Sequence, residues 1–504
     1  MDYWGVAEIL RHVTQTSPPA PALAPDSSST DLQTTRIVIL GGGPGGYEAA
    51  LVARRLGADV TIVERQGVGG AAVLTDVVPS KTLIATAEWM TVAETGAELG
   101  IRVGGMPAGA VPRLDVDLAA VNTRVMALAA AQSADIRARL ERENIRIVLG
   151  EGRLDGPARV IVDSPDGGGG PLVLDADVIL VSTGATPRIL DTAVPDGERI
   201  FTWTQIYNLT ELPEKLIVVG SGVTGAEFAG AYNALGCEVV LISSRDRVLP
   251  GEDADAANLI EEVFKGRGMT VRSRSRAESA RVIGSGAGAR VEVTLSDGSV
   301  VEGSHLLMAV GSIPSTSGIG LEEAGVRLTA SGHIEVDKVS RTSARGVYAA
   351  GDCTGVFPLA SVAAMQGRVA MSHALGDAVA PIKLRTVAAN IFTAPEIATV
   401  GYSEKKLIEQ GSKYLTTILP LSRNPRAKML GIRDGFVKMF SHPDAGVVLG
   451  GVVVAPRASE LIFPITLAVE HRLTADDVAE AFTVYPSLSG SIGEVARMSH
   501  HLTE

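Results

Sequence analysis

The sequence predicts an α/β protein that contains the same strand–loop–helix–strand unit twice and ends in an α+β segment. The apolar run 36–40 (RIVIL) precedes the glycine-rich segment 41–46 (GGGPGG), and the run 215–219 (KLIVV) precedes 220–225 (GSGVTG). A helical stretch and a second apolar run follow each loop. Continuous β-branched runs are typical of strands buried on both faces of a parallel sheet. Short alternating strands with Gly, Pro and Asp turns after each unit predict antiparallel meanders.

The composition limits the kinds of protein this chain can be. At 504 residues it is too long for one hydrophobic core, and a net charge of -12 disfavours a nucleic-acid or anionic-membrane surface. The chain has no apolar stretch of membrane-spanning length, so we expect no integral membrane segment. The two cysteines form no disulfide framework, fit a reducing cytoplasm, and together with scattered histidines predict no metal site.

The first glycine-rich loop has the spacing of a dinucleotide-binding fingerprint. Gly41 permits the tight turn, Gly43 lets the backbone approach a pyrophosphate, and Gly46 lets helix and strand pack closely. The pyrophosphate would then lie at a helix N-terminus, where free N–H groups and the helix dipole favour an anion. Glu64, at the end of the second strand, can accept hydrogen bonds from ribose hydroxyls. Strand, loop, helix and acid in this order predict a dinucleotide site.

The second loop differs from the first at the end of the following strand. Ser243 stands there in place of an acid and is followed by Ser244 and Arg245. A carboxylate would bind the ribose of NADH and repel the 2′-phosphate of NADPH, whereas hydroxyls and an arginine can bind that phosphate. We therefore expect NADPH to be used at least as well as NADH. The alternative interpretation is a solvated arginine at a strand end.

Four further segments resemble motifs of the flavoprotein disulfide reductases, the group of dihydrolipoamide dehydrogenase, glutathione reductase and mercuric reductase. They are similar to the A-T-G motif, the G-R-x-P motif with serine for arginine, the second FAD motif and the start of the dimerisation domain, at residues 181–187 (VSTGATP), 311–314 (GSIP), 348–352 (YAAGD) and 392–401 (FTAPEIATVG). The resemblance covers nearly all of the chain from Arg36. It implies non-covalently bound FAD, with Asp352 on the ribityl chain, NAD(P)H at the second loop, and a homodimer.

The redox-active disulfide of that family is absent from the sequence. The family pattern is G-G-x-C-x4-C-x-P-S-K, whereas residues 69–81 read GGAAVLTDVVPSK, with Ala72 and Val77 at the cysteine positions. The family's C-terminal His-Pro-x-x-x-Glu is also changed, with Tyr485 for His and Gly490 for Glu. Because neither Ala72 nor Val77 can form a thiolate, we predict no disulfide exchange with a substrate.

These departures resemble the bacterial NAD(P)H-quinone dehydrogenases, lipoamide-dehydrogenase-like proteins without the cysteines. The resemblance lies in residues 69–81 and in the ending 485–492 (YPSLSGSI). It implies hydride transfer from NAD(P)H to FAD and then electron transfer to a quinone. The alternatives are a soluble pyridine nucleotide transhydrogenase, whose relatives also carry Tyr-Pro, and a redox-sensing protein that binds both nucleotides with little turnover.

Three residues are candidates for catalysis. Lys81 falls where the family places a lysine near flavin N5, and Glu227 falls at the position of its carboxylate partner. A cation there would stabilise negative charge on the reduced flavin, and a buried lysine needs a counter-charge. Tyr485 can donate a hydrogen bond to a quinone oxygen. The alternative interpretations are a structural ion pair and an aromatic side chain packed at the dimer interface.

These observations predict domain bounds and cofactor contacts. We expect a disordered N-terminal extension (1–35), an FAD-binding domain in two parts (36–185 and 313–382), an NAD(P)-binding domain (186–312) and a dimerisation domain (383–504). The predicted cofactor-binding residues are Gly41, Gly43, Pro44, Gly46, Glu64, Arg65, Lys81, Thr183, Gly184, Gly220, Gly222, Gly225, Ser243, Arg245, Gly311 and Asp352.

Overall fold

The structure is a computed structural model that describes residues 34–96, 99–101, 114–163 and 170–500. The predicted disordered extension lies outside these residues except for its last two. The helices are α1 (Pro44–Arg55), α2 (Gly70–Leu74), α3 (Val77–Gly96), α4 (Leu118–Arg142), α5 (Val223–Ala234), α6 (Ala254–Gly266), α7 (Ala360–Ala374), α8 (Glu404–Glu409), α9 (Pro425–Met429), α10 (Ala458–Leu461), α11 (Phe463–His471), α12 (Ala475–Glu480) and α13 (Gly490–Met498). The strands are β1 (Arg36–Leu40), β2 (Asp59–Glu64), β3 (Arg146–Leu149), β4 (Glu151–Leu154), β5 (Arg159–Asp163), β6 (Leu172–Asp175), β7 (Val178–Val181), β8 (Ala185–Pro187), β9 (Ile200–Thr202), β10 (Lys215–Val219), β11 (Glu238–Ile242), β12 (Thr270–Arg272), β13 (Ala277–Ile283), β14 (Arg290–Leu295), β15 (Val300–Gly303), β16 (His305–Met308), β17 (Ser312–Pro314), β18 (Val347–Ala349), β19 (Ala389–Ile391), β20 (Glu396–Gly401), β21 (Leu415–Pro420), β22 (Phe436–Ser441) and β23 (Val448–Ala455).

Each glycine-rich unit forms its own parallel sheet. The first has the strand order β18-β7-β1-β2-β3 and the second β12-β11-β10-β16-β9, with every neighbouring pair parallel. Their central strands are buried on both faces, as the apolar runs predict, because helices pack on one face of each sheet and an antiparallel three-stranded sheet packs on the other. Strands β4-β5-β6 and β13-β14-β15 form the expected antiparallel meanders. The predicted α/β class with two Rossmann-type units is confirmed.

The chain passes between the two parallel sheets through a paired link. Strand β8 leads out of the first sheet towards the second, strand β17 leads back, and the two pair antiparallel, with Ile313 opposite Thr186. Strand β18 then rejoins the first sheet beside β7. The second sheet is therefore formed by a segment inserted between strands β7 and β18 of the first sheet. The domain bounds themselves remain a prediction.

The C-terminal segment is the predicted α+β unit. Its antiparallel sheet has the order β19-β20-β23-β22-β21, and α10, α11 and α13 pack on it. Lys438 on β22 is 1% exposed, and its Nζ lies 2.9 Å from Asp253, 2.8 Å from Asp255 and 2.8 Å from Glu404. Asp253 is the N-cap of α6, so a buried lysine joins this sheet to the second Rossmann-type unit.

Candidate active site

The two glycine-rich loops have the same backbone construction. The amide of Gly41 donates to the Val63 carbonyl at 2.8 Å, and the amide of Gly220 donates to the Ile242 carbonyl at 3.0 Å. Both glycines have positive φ, +98° and +108°, and a side chain on either would collide with a backbone carbonyl behind the loop. A side chain is also excluded at Gly46 and Gly225, because a Cβ there would collide with the carbonyl oxygen of Gly41 or Gly220, the first glycine of the same loop.

The front of each loop is open where a ligand would lie. A Cβ on Gly43 would meet nothing nearer than 4.0 Å, and one on Gly222 would meet nothing within 4 Å. These two glycines are the N-caps of α1 and α5, and Pro44 occupies the first turn of α1. Unpaired N–H groups at a helix start are a suitable site for a pyrophosphate. The geometry therefore fits a dinucleotide at both loops.

Glu64 fixes the backbone of the first loop and retains an acceptor position for a ligand. Its buried carboxylate accepts from the amides of Gly42 (2.7 Å), Gln66 (2.8 Å) and Gly67 (3.3 Å). A carboxylate has about four acceptor positions, so Oε2 retains one for a ribose hydroxyl. Arg65, the next residue, is exposed at the mouth of this loop.

Ser243 lies inside the second unit and does not face solvent. It is completely buried, and its hydroxyl lies 2.6 Å from the Ser221 hydroxyl and 3.2 Å from the Arg247 carbonyl. Ser244 and Arg245, which follow it, are exposed. A charge introduced at position 243 would therefore be buried, and Arg245 is the better position at which to test recognition of a 2′-phosphate.

Two arginines that the sequence reasoning did not select lie beside Arg245. The Arg274 amide donates to the Arg245 carbonyl at 2.6 Å, and the Ser243 amide donates to the Arg272 carbonyl at 2.8 Å. Arg272 and Arg274 are both exposed. The sequence signal is only the local density of arginines in RSRSR at 272–276, because β12 ends at Arg272 and the chain turns at Arg274, which has a φ of +54°.

Lys81 and Glu227 meet between α3 and α5, as predicted. The Lys81 Nζ lies 2.7 Å from Oε2 of Glu227, with side-chain exposures of 25% and 3%. The other carboxylate oxygen accepts from the Phe392 amide at 2.8 Å. The Lys81 Nζ also lies 5.1 Å from the centre of the Phe392 ring. The ammonium is thus fixed by a buried carboxylate and an aromatic face, while part of it remains accessible.

Asp76 is a further acid at this site that the sequence reasoning missed. It lies directly before α3 in the segment between the two former cysteine positions, and it is half-buried. Burial raises the pKa of Asp76 to about 6; Lys81 lowers it, while Glu227 and Asp352 raise it. A carboxyl in this range exchanges a proton near neutral pH. The sequence feature that could have identified Asp76 is a single acid directly before the apolar residues 77–79.

Neither the residues at the former cysteine positions nor the two remaining cysteines can supply a reactive thiolate. Ala72 lies on α2, and Val77 is the first residue of α3. Cys237 and Cys353 are free and buried, and burial raises the pKa of their thiols to about 12 and about 11. Thiols with such pKa values carry almost no thiolate at neutral pH.

Tyr485 is 83% exposed, and no described contact joins it to the Lys81–Glu227 pair.

Of the remaining predicted cofactor residues, Thr183, Gly184 and Asp352 lie near the ends of β7 and β18, whereas Gly311 lies at the other end of the β8–β17 pair, where its carbonyl accepts from the Arg188 amide. Gly184 and Gly311 have positive φ, and a Cβ on either would meet nothing within 4 Å. The hydroxyl of Thr183 is buried without a hydrogen-bond partner among the described residues. Asp352 follows β18, and burial raises the pKa of its carboxyl. An orphaned hydroxyl and open backbone fit a polar ligand such as FAD at this edge of the first sheet.

Comparison with known proteins identifies the family. The family model described as pyridine nucleotide-disulphide oxidoreductase matches residues 35–367, and the model of that family's dimerisation domain matches residues 387–496. The chain belongs to this family of oxidoreductases. The resemblance inferred from the motifs is thereby confirmed.

Several relatives are similar over almost their whole length. An NAD(P)H dehydrogenase (quinone) of Mycobacterium tuberculosis is 54% identical over 476 residues, covering 92% of this chain and 94% of the relative. A dihydrolipoyl dehydrogenase of Chlorobaculum tepidum is 32% identical over 460 residues, covering 91% and 96%. The crystal structure of LpdA from Mycobacterium tuberculosis has a TM-score of 0.85 at 52% identity, covering 93% of this chain and 100% of that one. In the part of the chain that the structure describes, no helix is long and apolar enough to cross a membrane.

Proposed function

We propose that this protein is an FAD-dependent NAD(P)H:quinone oxidoreductase that works without a redox-active disulfide. The observation that carries the proposal is the Lys81–Glu227 pair, kept intact between two dinucleotide loops while Ala72 and Val77 replace the thiols. The relative of Mycobacterium tuberculosis named NAD(P)H dehydrogenase (quinone) supports the same conclusion. When bound, FAD would accept a hydride from NAD(P)H and supply electrons to the quinone.

The residues of the chain would bind and orient the cofactors. The first loop and the N-terminus of α1 would hold the FAD pyrophosphate, Glu64 a ribose and Asp352 the ribityl chain. The second loop would hold the pyrophosphate of NAD(P)H, and Arg245 would lie beside its adenosine ribose. Lys81, fixed by Glu227, would supply positive charge where the isoalloxazine accumulates electron density.

The acceptor would occupy the space left by the missing thiols. Ala72 and Val77 are short and apolar, and they suit a flat, apolar molecule such as a quinone. Reduction of a quinone by a hydride also requires one proton. Asp76, half-buried beside Lys81, is placed to supply that proton near neutral pH. Tyr485 would donate a hydrogen bond to the acceptor from the second copy of the chain.

The functional unit would be a homodimer in the cytoplasm. The dimerisation-domain match covers residues 387–496, within the predicted 383–504. Phe482, Val484 and Tyr485 in this segment are all more than three-quarters exposed in the single chain. A cluster of large exposed apolar side chains is typical of an interface. Free buried cysteines suit a reducing compartment.

The test is anaerobic reduction of the purified yellow protein by NADPH, followed by a panel of acceptors. We expect rapid oxidation by benzo- and naphthoquinones, no turnover with lipoamide or oxidised glutathione, and no long-wavelength thiolate–flavin absorbance. Measurable oxidation of dihydrolipoamide by the clean protein would disprove the proposal, as would the absence of flavin or the presence of FMN in its place.

The transhydrogenase alternative rests on Tyr485 and Pro486, which that group also carries. It predicts that NADPH reduces a thio-analogue of NAD⁺ faster than it reduces any quinone. A redox sensor predicts binding of both nucleotides with slow turnover of every acceptor. Steady-state rates measured on one preparation with quinones and with the thio-analogue separate the three functions.

A further inference from the structure

The phenol of Tyr207 is a buried polar group without a partner. Tyr207 lies in a short 3-10 turn (Ile206–Asn208) and is 5% exposed, and its hydroxyl has no hydrogen-bond partner among the described residues. Leaving a buried hydroxyl unpaired is unfavourable, and most buried polar groups in proteins are paired. Burial raises the pKa of this phenol well above its usual range, so it keeps its proton and remains a donor. Its role therefore depends on which acceptor lies within its reach.

Tyr207 lies beside the Lys81–Glu227 pair, on the side of the protein core. The centre of its ring is 6.1 Å from that of Phe228, the residue that follows Glu227 on α5. Both rings belong to a hydrophobic cluster to which α3 also contributes. The negative charges of Asp76 and Glu227 act on the phenol and raise its pKa beyond the effect of burial. The hydroxyl is therefore within electrostatic range of both carboxylates of the candidate active site.

The carboxyl group of Asp76 is an acceptor without a donor. The Asp76 amide donates to the Ala71 carbonyl and the Asp76 carbonyl accepts from the Ser80 amide, both at 2.8 Å, so the backbone is fixed at the start of α3. No hydrogen bond to the carboxyl group is present among the described residues. Lys81, the cation that acts on it, is already held by Glu227 at 2.7 Å. A carboxylate formed at Asp76 would therefore need a hydrogen-bond donor.

Asp76 is also the acceptor near Tyr207 that is not yet occupied. The two oxygens of Glu227 already accept from an ammonium and from a backbone amide. Ser80 lies near the phenol as well, but its hydroxyl donates to a carbonyl of its own helical turn at 3.4 Å, and no hydrogen bond joins it to Tyr207. Hydrogen bonds to an ionised carboxylate are stronger than those to a neutral group, so ionisation of Asp76 would favour contact with the phenol.

We propose that Tyr207 is a positioning residue that donates a hydrogen bond to the carboxylate of Asp76 once Asp76 has given its proton to the acceptor. The inference rests on the proposed quinone reduction, in which a quinone takes a hydride from the reduced cofactor and a proton from Asp76 and becomes a hydroquinone. Asp76 then regains a proton from water. By stabilising the ionised form, Tyr207 makes Asp76 a stronger acid. The other charged groups that act on Asp76 are Lys81, Glu227 and Asp352.

Tyr207→Phe removes the hydroxyl and keeps the ring, and Tyr232→Phe is the matched control. Tyr232 is completely buried and its hydroxyl also lacks a partner among the described residues, but the ionisable group that acts on it is Cys237 and not Asp76. Turnover of a benzoquinone by the FAD-bound protein is measured from pH 5 to pH 9 at saturating NADPH. In Tyr207→Phe the midpoint of the pH profile should rise by about one unit, because a hydrogen bond to a charged group contributes about a tenfold change in the acid constant. Tyr232→Phe should keep the wild-type profile.

The pH dependence of unfolding tests the same contact without any substrate. Burial raises the pKa of Asp76 to about 6, so its protonated form stabilises the fold at low pH, and this contribution is lost as the pH rises through about 6. In Tyr207→Phe the folded pKa is higher still, so more stability is lost. The unfolding constant of this variant in urea, divided by that of wild type, should be about tenfold larger at pH 8 than at pH 5. For Tyr232→Phe the same ratio should be equal at both pH values.

The double variant of Tyr207→Phe and Asp76→Asn shows whether Tyr207 acts through Asp76. It should reduce the quinone at the rate of Asp76→Asn alone, because an amide does not ionise and gains nothing from the phenol. Losses that add in the double variant would overturn the inference and assign Tyr207 to the acceptor or to the flavin.

Two further results would overturn the inference. One is an unchanged pH midpoint in Tyr207→Phe, and the other is a ratio of unfolding constants that does not change with pH. Failure of wild type itself to reduce any quinone would instead refute the proposed function, whereas the pH dependence of unfolding would still report the contact between Tyr207 and Asp76.

Discussion

Replacing Glu227 with glutamine should destabilise the protein through a single lost charge. The substitution keeps the shape of the side chain and an oxygen that can accept from the Phe392 amide. It removes the carboxylate that lies 2.7 Å from the Lys81 ammonium. At this distance and an effective dielectric constant of about 20, two unit charges attract by roughly 6 kcal/mol.

The net loss should be smaller than this attraction. Lys81 is 25% exposed, so its ammonium regains part of its hydration once Glu227 is neutral. We therefore expect the free energy of unfolding to fall by about 3 kcal/mol, the lower end of the range for breaking a buried pair. Lys81→Met should cost more, roughly 4–5 kcal/mol, because the carboxylate that it leaves unpaired is only 3% exposed.

The assay is urea unfolding followed by circular dichroism, applied to both single variants and to the double variant. The double variant should lose at least about 2 kcal/mol less than the sum of the two single losses, since the second substitution removes the charge left by the first. Glu292→Gln is the control, because its partner Arg281 is 76% exposed at 2.6 Å, and its effect should stay under about 1 kcal/mol. Additive losses, or a loss in Glu227→Gln as small as that of the control, would refute the reasoning.

Three further predictions concern other parts of the molecule. Arg245→Glu should raise the KM for NADPH at least about tenfold and leave the KM for NADH unchanged, because a charge-assisted hydrogen bond to the 2′-phosphate is lost; equal changes in both KM values would contradict this. Wild-type quinone turnover should fall as the pH rises through about 6, because a deprotonated Asp76 has no proton to give; Asp76→Asn should be slower and flat over this range, and an unchanged pH profile would exclude Asp76 as the donor. Lys438→Met should lower the free energy of unfolding by roughly 3–5 kcal/mol, since the carboxylate of Asp253 is left buried without a cation; thermal melting at the wild-type temperature would show that the cluster does not contribute to stability.

The features that the sequence predicted correctly are encoded locally. Gly41 and Gly46 identify a dinucleotide-binding loop because the turn and the start of the helix lie within six residues. The same holds for the second loop at 220–225. Apolar runs of the β-branched type indicate buried strands without knowledge of their neighbours. Lys81 and Glu227, which are 146 residues apart, were paired only through family resemblance.

The features that the sequence did not predict depend on contacts between distant segments. Ser243 turns inwards because the Ser221 hydroxyl, 22 residues earlier, lies within 2.6 Å of it. The raised pKa of Asp76 depends on burial and on the negative charges of Glu227 and Asp352, which come from distant segments. Side-chain direction and satisfaction of hydrogen bonds are properties of the packed molecule.

The pairing of β8 with β17 has a consequence for how such a chain can be rearranged. Because the outgoing and returning strands lie side by side, the segment 188–311 begins and ends at nearly the same point. A segment with adjacent ends can be exchanged for another without displacing the strands that flank it, in the way that insertions at neighbouring termini are tolerated. Nucleotide preference can therefore be transplanted as a module only if the incoming segment keeps its contacts with the rest of the chain, the Glu227 carboxylate for Lys81 and the Asp253 carboxylate for Lys438.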